Sequence, residues 1–254
     1  MPFALNIGKC TLLGNYRENN EDSIEVKQFP ELTVCIVADG MGGQAYGEVA
    51  SRRAIEIIPR ELRKHLHSMA TPDMTKDAIR RCILLANEEI MQMGALDKDM
   101  KNMGTTIVMA VWRRGGELYV AGVGDSRAYI ARTRAIKQLT VDHSLAQALV
   151  EAGTISPQEA KEHRYRNVLW KFLGSRELTT GRETDVIEVR LQHGDRFLLC
   201  SDGLTGVVSD DKLLNHLQSY PDVQECADTM GQLALDCNSR DNVSCIVIEA
   251  VEAN

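Results

Sequence analysis

Residues Thr105–Val123, TTIVMAVWRRGGELYVAGV, decide the fold class. An apolar run from Thr105 to Trp112 meets Gly115-Gly116, and a second run from Leu118 to Val123 leaves it. Two such runs around a Gly-Gly dipeptide predict a hairpin, because glycine supplies the positive φ that a tight turn demands. Working outward, Leu32 to Ala38, Ala128 to Ala131, Val186 to Leu191, Arg196 to Cys200 and Val243 to Ile248 also read as strands. Helical spacing appears in three stripes: Ile55, Ile58, Leu62 and Leu66; Ile79, Ile83, Ala86 and Ile90; Val223, Ala227, Met230 and Ala234. Thr71-Pro72-Asp73 predicts the start of the second helix, a capping hydroxyl before a first-turn proline. Strands arriving as hairpins, with helices inserted in pairs, argue against alternating βαβ units. They predict a layered α/β fold of mainly antiparallel sheets covered by helices. No repeat, low-complexity tract or linker divides the chain, so residues 1–254 read as one domain. Ser144 to Gly174 reads as mostly helical with polar interruptions, an insertion on the surface.

Composition excludes several classes of function. The 254 residues carry 29 Lys+Arg against 36 Asp+Glu, a net charge of −7, without the basic face of a nucleic-acid binder. The apolar runs fall far short of the roughly 20 residues that cross a bilayer. The start, Met1-Pro2-Phe3-Ala4-Leu5-Asn6, lacks the basic and apolar regions of a signal peptide. Seven cysteines, none in a CxxC pair and several inside apolar runs, are the pattern of reduced thiols, so the expected compartment is the cytoplasm.

The chemistry is written in where the acids fall. Leu32 to Ala38 runs into Asp39-Gly40, and Arg196 to Cys200 runs through Ser201 into Asp202-Gly203. Gly122-Val123-Gly124 ends at Asp125, Asp241 precedes the run from Val243, and Glu21-Asp22 precedes another strand-like run. Asp-Gly is also the commonest turn dipeptide, yet neither Asp-Gly here closes a two-residue hairpin. If these carboxylates converge, each pair at about 4 Å repels by roughly 4 kcal/mol at an effective dielectric near 20. Bound cations relieve that repulsion, and all-oxygen ligation selects hard ions, Mg²⁺ or Mn²⁺ ahead of Ca²⁺. Gly40-Met41-Gly42-Gly43-Gln44-Ala45 also fits a dinucleotide fingerprint. Asp39 would then set a carboxylate beside the pyrophosphate, and the acid about 20 residues on, Glu61, falls in a helical stripe instead of closing a strand.

Taken together the motifs resemble those of the metal-dependent protein Ser/Thr phosphatases of the 2C (PPM) family, in their compact prokaryotic form. The matching pieces begin with Gly14-x-x-Arg17-x-x-Asn20-Glu21-Asp22, Val37-Ala38-Asp39-Gly40-Met41-Gly42-Gly43 and Met103-Gly104-Thr105-Thr106. Gly122-Val123-Gly124-Asp125-Ser126-Arg127, Asp142-His143-Ser144, Cys200-Ser201-Asp202-Gly203-Leu204-Thr205 and Arg240-Asp241-Asn242 follow in the family's order.

The resemblance implies an αββα sandwich of two mainly antiparallel sheets flanked by paired helices, with residues 144–174 as a helical flap insertion. It implies a protein serine/threonine phosphatase that hydrolyses phosphoserine and phosphothreonine by attack of a hydroxide bridging two Mn²⁺ or Mg²⁺ ions. On that pattern Asp39 bridges the metals, the Gly40 carbonyl ligates one, and Asp202 and Asp241 ligate the other. Glu21 and Asp22 hold metal-bound waters, Asp125 serves a weaker third metal, and Arg17 binds the phosphate. The implied partners are phosphorylated Ser/Thr proteins and a cognate Ser/Thr kinase.

The chain departs from the pattern at two places. Gln44 stands where bacterial members often carry a histidine proposed as general acid, and glutamine does not titrate. Gly206 lacks the acid that some members carry there for the third metal. His143, the one histidine in a family motif, reads as a structural or flap residue. A second hypothesis, a catalytically weak relative that binds phosphoproteins, stays open beside the first; the intact Asp39, Asp202 and Asp241 argue against it.

Overall fold

A computed structural model describes residues 3–42, 46–97, 99–181 and 184–253. Strands β1 (Phe3–Leu12), β2 (Asp22–Gln28) and β3 (Leu32–Met41) lead into helices α1 (Tyr46–Lys64) and α2 (Pro72–Leu96). Then come β4 (Gly104–Thr105), β5 (Ile107–Arg113), β6 (Leu118–Val123), β7 (Arg127–Arg132) and β8 (Ala135–Gln138). Helices α3 (Leu145–Glu151) and α4 (Pro157–Glu162) precede β9 (Val186–Val189) and β10 (Arg196–Cys200). The chain closes with α5 (Asp202–Thr205), α6 (Asp210–Ser219), α7 (Val223–Asp236) and β11 (Val243–Glu252).

One sheet runs β1-β11-β10-β7-β8 and the other β2-β3-β5-β6-β9, with β4 paired to β3. Every described pairing is antiparallel. The period-2 alternation of the strands explains the two layers. In β3, Cys35 and Val37 face the opposite sheet, while Val34, Ile36 and Ala38 face α1 and α2. In β11, Ile246 and Ile248 enter the core between the sheets, while Cys245 and Val247 meet α7. Strands covered on both faces must be apolar throughout, which is why these runs read as continuous. Two antiparallel sheets flanked by helices are the layered α/β fold expected.

The hairpin turn falls where Gly115-Gly116 placed it, with the Gly116 N–H donating to the Arg113 carbonyl at 2.9 Å. The Thr71 side chain caps α2 by accepting from the Met74 N–H. Some expectations need correction. The run from Thr105 to Trp112 divides into β4 and β5, with Thr106 between them turned to a polar task described below. Val186 to Leu191 ends as a strand at Val189, and the run from Val243 continues to Glu252. Ser144 to Gly174 is helical only over α3 and α4. The rest is irregular backbone stapled to the body by bridges Ser144↔Leu169 and Thr105↔Leu173.

Candidate active site

All five acidic strand ends fall at the same end of the two sheets. Asp22 and Asp39 are direct partners across β2 and β3, and the end of β3 lies beside the start of β5 and the end of β6. In the other sheet Cys200, at the end of β10, pairs with Cys245 near the start of β11. That brings Ser201-Asp202 and Asp241 to the same rim. Asp22 links the sheets: its carboxylate accepts from the Ser201 hydroxyl at 2.9 Å, and Ser201 in turn accepts from the Ser244 N–H at 3.0 Å. The Asp39 and Asp202 carboxyl groups lie within hydrogen-bonding reach of one another.

Backbone clamps fix these carboxylates. The Asp39 N–H donates to the Thr106 hydroxyl at 3.1 Å. Its carbonyl accepts from the Thr106 N–H at 2.8 Å and the Thr105 hydroxyl at 2.9 Å. Thr106 also shares a 2.6 Å hydrogen bond with Ser126, beside Asp125. The Gly40 N–H donates to the Glu21 carbonyl at 3.2 Å, and a Cβ at Gly40 would collide with the Gly47 carbonyl. Only glycine lets α1 start this close to β3. Gly14, at φ +81°, faces the Asp241 carbonyl in the same way.

Buried Asn242 ties the loop of residues 13–21 to β11. Its side-chain amide donates to the Leu13 carbonyl at 2.8 Å and the Asn19 carbonyl at 3.1 Å, and its oxygen accepts from the Glu21 N–H at 2.9 Å. Sequence reasoning gave no role to Asn242, Thr106, Ser201 or Ser244. Their signal was polarity at strand ends that otherwise read as apolar core.

Charge is crowded here. Burial, and then the carboxylates of Asp22, Asp202, Asp125 and Asp241, hold Asp39 well above the usual carboxylate range. Burial is also the leading cause at Asp22, pushed up to about 7 against the hydrogen bonds from Ser244 and Ser201. Asp125 is pushed up to about 7 by burial, then by Asp202 and Asp142. Burial and then Asp241 raise Asp202, and burial raises Glu21. Such a group answers either to protons or to a multivalent cation. The donors are oxygen alone, which fits a hard divalent ion.

Among the described residues no three acidic, histidine or cysteine side chains close into a ready-made ligand shell. Asp241 is otherwise engaged: one oxygen accepts from Arg17 at 2.7 Å and the other from the Asn242 N–H at 2.8 Å. That hydrogen bond with Asp241 is the main reason the Arg17 guanidinium is held above its ordinary pKa.

His143 has a structural place. Its Nδ1 accepts from the Gly124 N–H at 3.0 Å, its backbone N–H donates to the Gly124 carbonyl at 2.9 Å, and its ring meets Trp170 edge-on. Burial pushes its pKa down to about 4, so the ring is neutral. Gly206 closes α5, donating to the Asp202 carbonyl at 2.7 Å. Gln44 lies outside the described residues.

The sequence profile of the family Protein phosphatase 2C matches residues 16–244. The serine/threonine phosphatase stp of Listeria monocytogenes is 34% identical over 238 residues, 93% of this chain and 92% of that protein. The crystal structure of the serine/threonine phosphatase Stp1 from Staphylococcus aureus superposes with a TM-score of 0.87 at 32% identity, covering 98% of this chain and 96% of that one. The catalytic domain of the serine/threonine protein phosphatase PstP, solved in complex with two manganese ions, has a TM-score of 0.75 at 34% identity, over 98% of this chain and 100% of that one.

Proposed function

The chain belongs to the protein phosphatase 2C family, and we propose that its rim of carboxylates holds two Mn²⁺ or Mg²⁺ ions for hydrolysis of phosphoserine and phosphothreonine in proteins. One observation carries the reading. Asp22, Asp39, Asp125 and Asp202 lie at one end of both sheets, and each is pushed above its ordinary value. Folding such a cluster is costly unless a cation is the intended occupant. The hydrogen bond of Arg17 to Asp241 also places its planar, always-charged fork at this rim.

In this proposal Asp39, the Gly40 carbonyl, Asp202 and Asp241 would hold the two ions, Glu21 and Asp22 would orient waters, and Asp125 would serve a weaker third ion. When bound, the metals supply a water ionised at neutral pH and positive charge to receive the phosphoryl oxygens. The chain supplies the rest. Thr105 and Thr106 hold Asp39 by its backbone, Asn242 holds the loop that carries Arg17 and Glu21, and Arg17 orients the phosphate by bidentate contact.

Residues 1–254 form one phosphatase domain in this proposal, with 144–174 as the flap. A Ser/Thr kinase whose phosphorylation it reverses is the proposed partner, and the cytoplasm is the proposed compartment. The compartment is supported by seven unpaired cysteines, six of them buried. No described helix is long and apolar enough to cross a membrane.

The test is hydrolysis of a phosphothreonine peptide with Mn²⁺ and with EDTA. Release of phosphate only with Mn²⁺ supports the enzyme. Peptide binding without release in Mn²⁺ would favour a phosphoprotein-binding relative.

A further inference from the structure

The pair that marks the phosphate position has a second pair beside it in the chain. Arg17 meets Asp241, and the preceding residue on each side, Tyr16 and Arg240, also meet: the Arg240 guanidinium lies 5.7 Å from the Tyr16 ring centroid. Tyr16 is 60% exposed and Arg240 is exposed too. Among the described residues Arg240 has no carboxylate within ion-pair distance, whereas Arg17, Arg127, Arg132 and Arg196 each have one. A cation with no carboxylate partner among the described residues, lying over an aromatic ring beside Arg17 at this carboxylate rim, is available to an incoming anion.

The geometry points to Arg240, supported by Tyr16, as a specificity-determining residue. It would contact an acidic side chain two positions from the phosphorylated residue of the substrate, an inference that rests on the phosphatase reading above. The spacing carries it. Consecutive Cα atoms are about 3.8 Å apart, so Arg240 is fixed within one residue of the Asp241–Arg17 pair. An extended peptide rises about 3.3 Å per residue and repeats its face every second residue. A peptide whose phosphate is held by Arg17 therefore turns the side chain two positions away to the same face, within reach of a long arginine. The protein's net charge of −7 disfavours acidic peptides in general, so a local cation at the mouth is where acceptance of such a flank has to be built. The Tyr16 ring limits the wandering of the guanidinium and leaves its outer edge for a carboxylate.

The experiment compares phosphothreonine peptides carrying Glu, Ala or Lys two residues from the phosphothreonine, on either side, all in Mn²⁺. Each variant is judged by the ratio of kcat/KM between its own substrates. For wild type, the Glu peptide should exceed the Ala peptide by about three- to fivefold, mostly through KM, as expected of a half-exposed ion pair. Molar salt should collapse that ratio. Arg240→Gln should bring it to one, Arg240→Glu should turn the preference toward the Lys peptide, and Tyr16→Leu should lower it part of the way. A structural role would slow all three peptides equally and lower the melting temperature. That result, or an unchanged Glu/Ala ratio in Arg240→Gln, overturns the assignment while leaving the phosphatase reading intact. Wild-type protein inert toward every peptide and toward p-nitrophenyl phosphate would overturn both.

Discussion

Replacing Asp39 by asparagine should make the metal-free protein more stable and the metal-loaded protein inactive. Asp39 and Asp202 lie within hydrogen-bonding reach, with Asp22, Asp125 and Asp241 close enough to raise the Asp39 pKa further. One ionised pair at about 4 Å repels by roughly 4 kcal/mol at an effective dielectric of 20. Asparagine removes that charge, keeps the shape, and offers Asp202 an N–H donor in place of a shared proton. Part of the wild-type repulsion is already relieved by protonation, so a net gain of about 2–3 kcal/mol remains at pH 7.5. For a chain of this length that corresponds to a rise of roughly 4–12 °C in Tm. The assay is thermal unfolding in EDTA and in millimolar Mn²⁺. Wild type should gain stability with Mn²⁺ by mass action, about 2.7 kcal/mol at one hundred times Kd. Asp39→Asn should gain little and should not hydrolyse p-nitrophenyl phosphate. A variant less stable than wild type in EDTA, yet still stabilised by Mn²⁺, would refute the reasoning.

Other perturbations read other parts of the site. Arg17→Ala should raise KM for phosphopeptides more than it lowers kcat, because in the proposed role the guanidinium would hold the phosphate in ground and transition states alike; a fall in kcat at constant KM would reassign it. The same variant should change stability by less than about 1 kcal/mol in thermal melts, since the Arg17–Asp241 pair is half-exposed at 49% and 39%. Asn242→Ala strands the Leu13 and Asn19 carbonyls and the Glu21 N–H, a loss of about 3 kcal/mol at roughly 1 kcal/mol per bond. It should also weaken Mn²⁺ binding measured by calorimetry; unchanged affinity would show that the loop needs no clamp. The pH dependence has a definite sign. Asp22 and Asp125 sit near 7 in the fold against 3.8 in the unfolded chain, so the metal-free fold binds the extra protons and loses stability as pH rises toward 7. His143, pushed down to about 4, opposes this below pH 6.5. In EDTA, stability should therefore fall between pH 6.0 and 7.5 by up to about 1.4 kcal/mol per pH unit for each carboxylate, read as a falling Tm, and Mn²⁺ should reverse the slope. A rise in Tm with pH in EDTA would contradict the crowding of these groups.

The layers were legible in the sequence because strands covered on both faces must be apolar at every position. The hairpin at Gly115-Gly116 set the antiparallel sense, and the Thr71-Pro72 cap set the start of α2. Strand β1 is not legible in the sequence because its pattern is divided: Phe3, Leu5 and Ile7 face the core between the sheets, whereas Cys10 and Leu12 face α7. Helix α6 buries only Leu213 and Leu217, too narrow a stripe to stand out among acids and amides. The second half of the 144–174 segment keeps its place through backbone bonds such as Leu145 N–H to the Val168 carbonyl at 2.8 Å, which side-chain patterning does not encode. At the site, the aspartates announced themselves by ending apolar runs. The groups that hold them, Thr106 by its hydroxyl and Asn242 by its amide, act on backbone atoms far away in sequence, and only the closed fold shows those partners.

The most direct test of the two-metal centre is the number of Mn²⁺ ions bound per chain, by equilibrium dialysis of chelator-stripped wild type and Asp39→Asn against micromolar Mn²⁺. Wild type should bind two tightly, and the variant, lacking the carboxylate proposed to join the sites, should bind one or none. Equal binding by both proteins, or a wild type that hydrolyses phosphopeptide with no bound metal, would contradict the account.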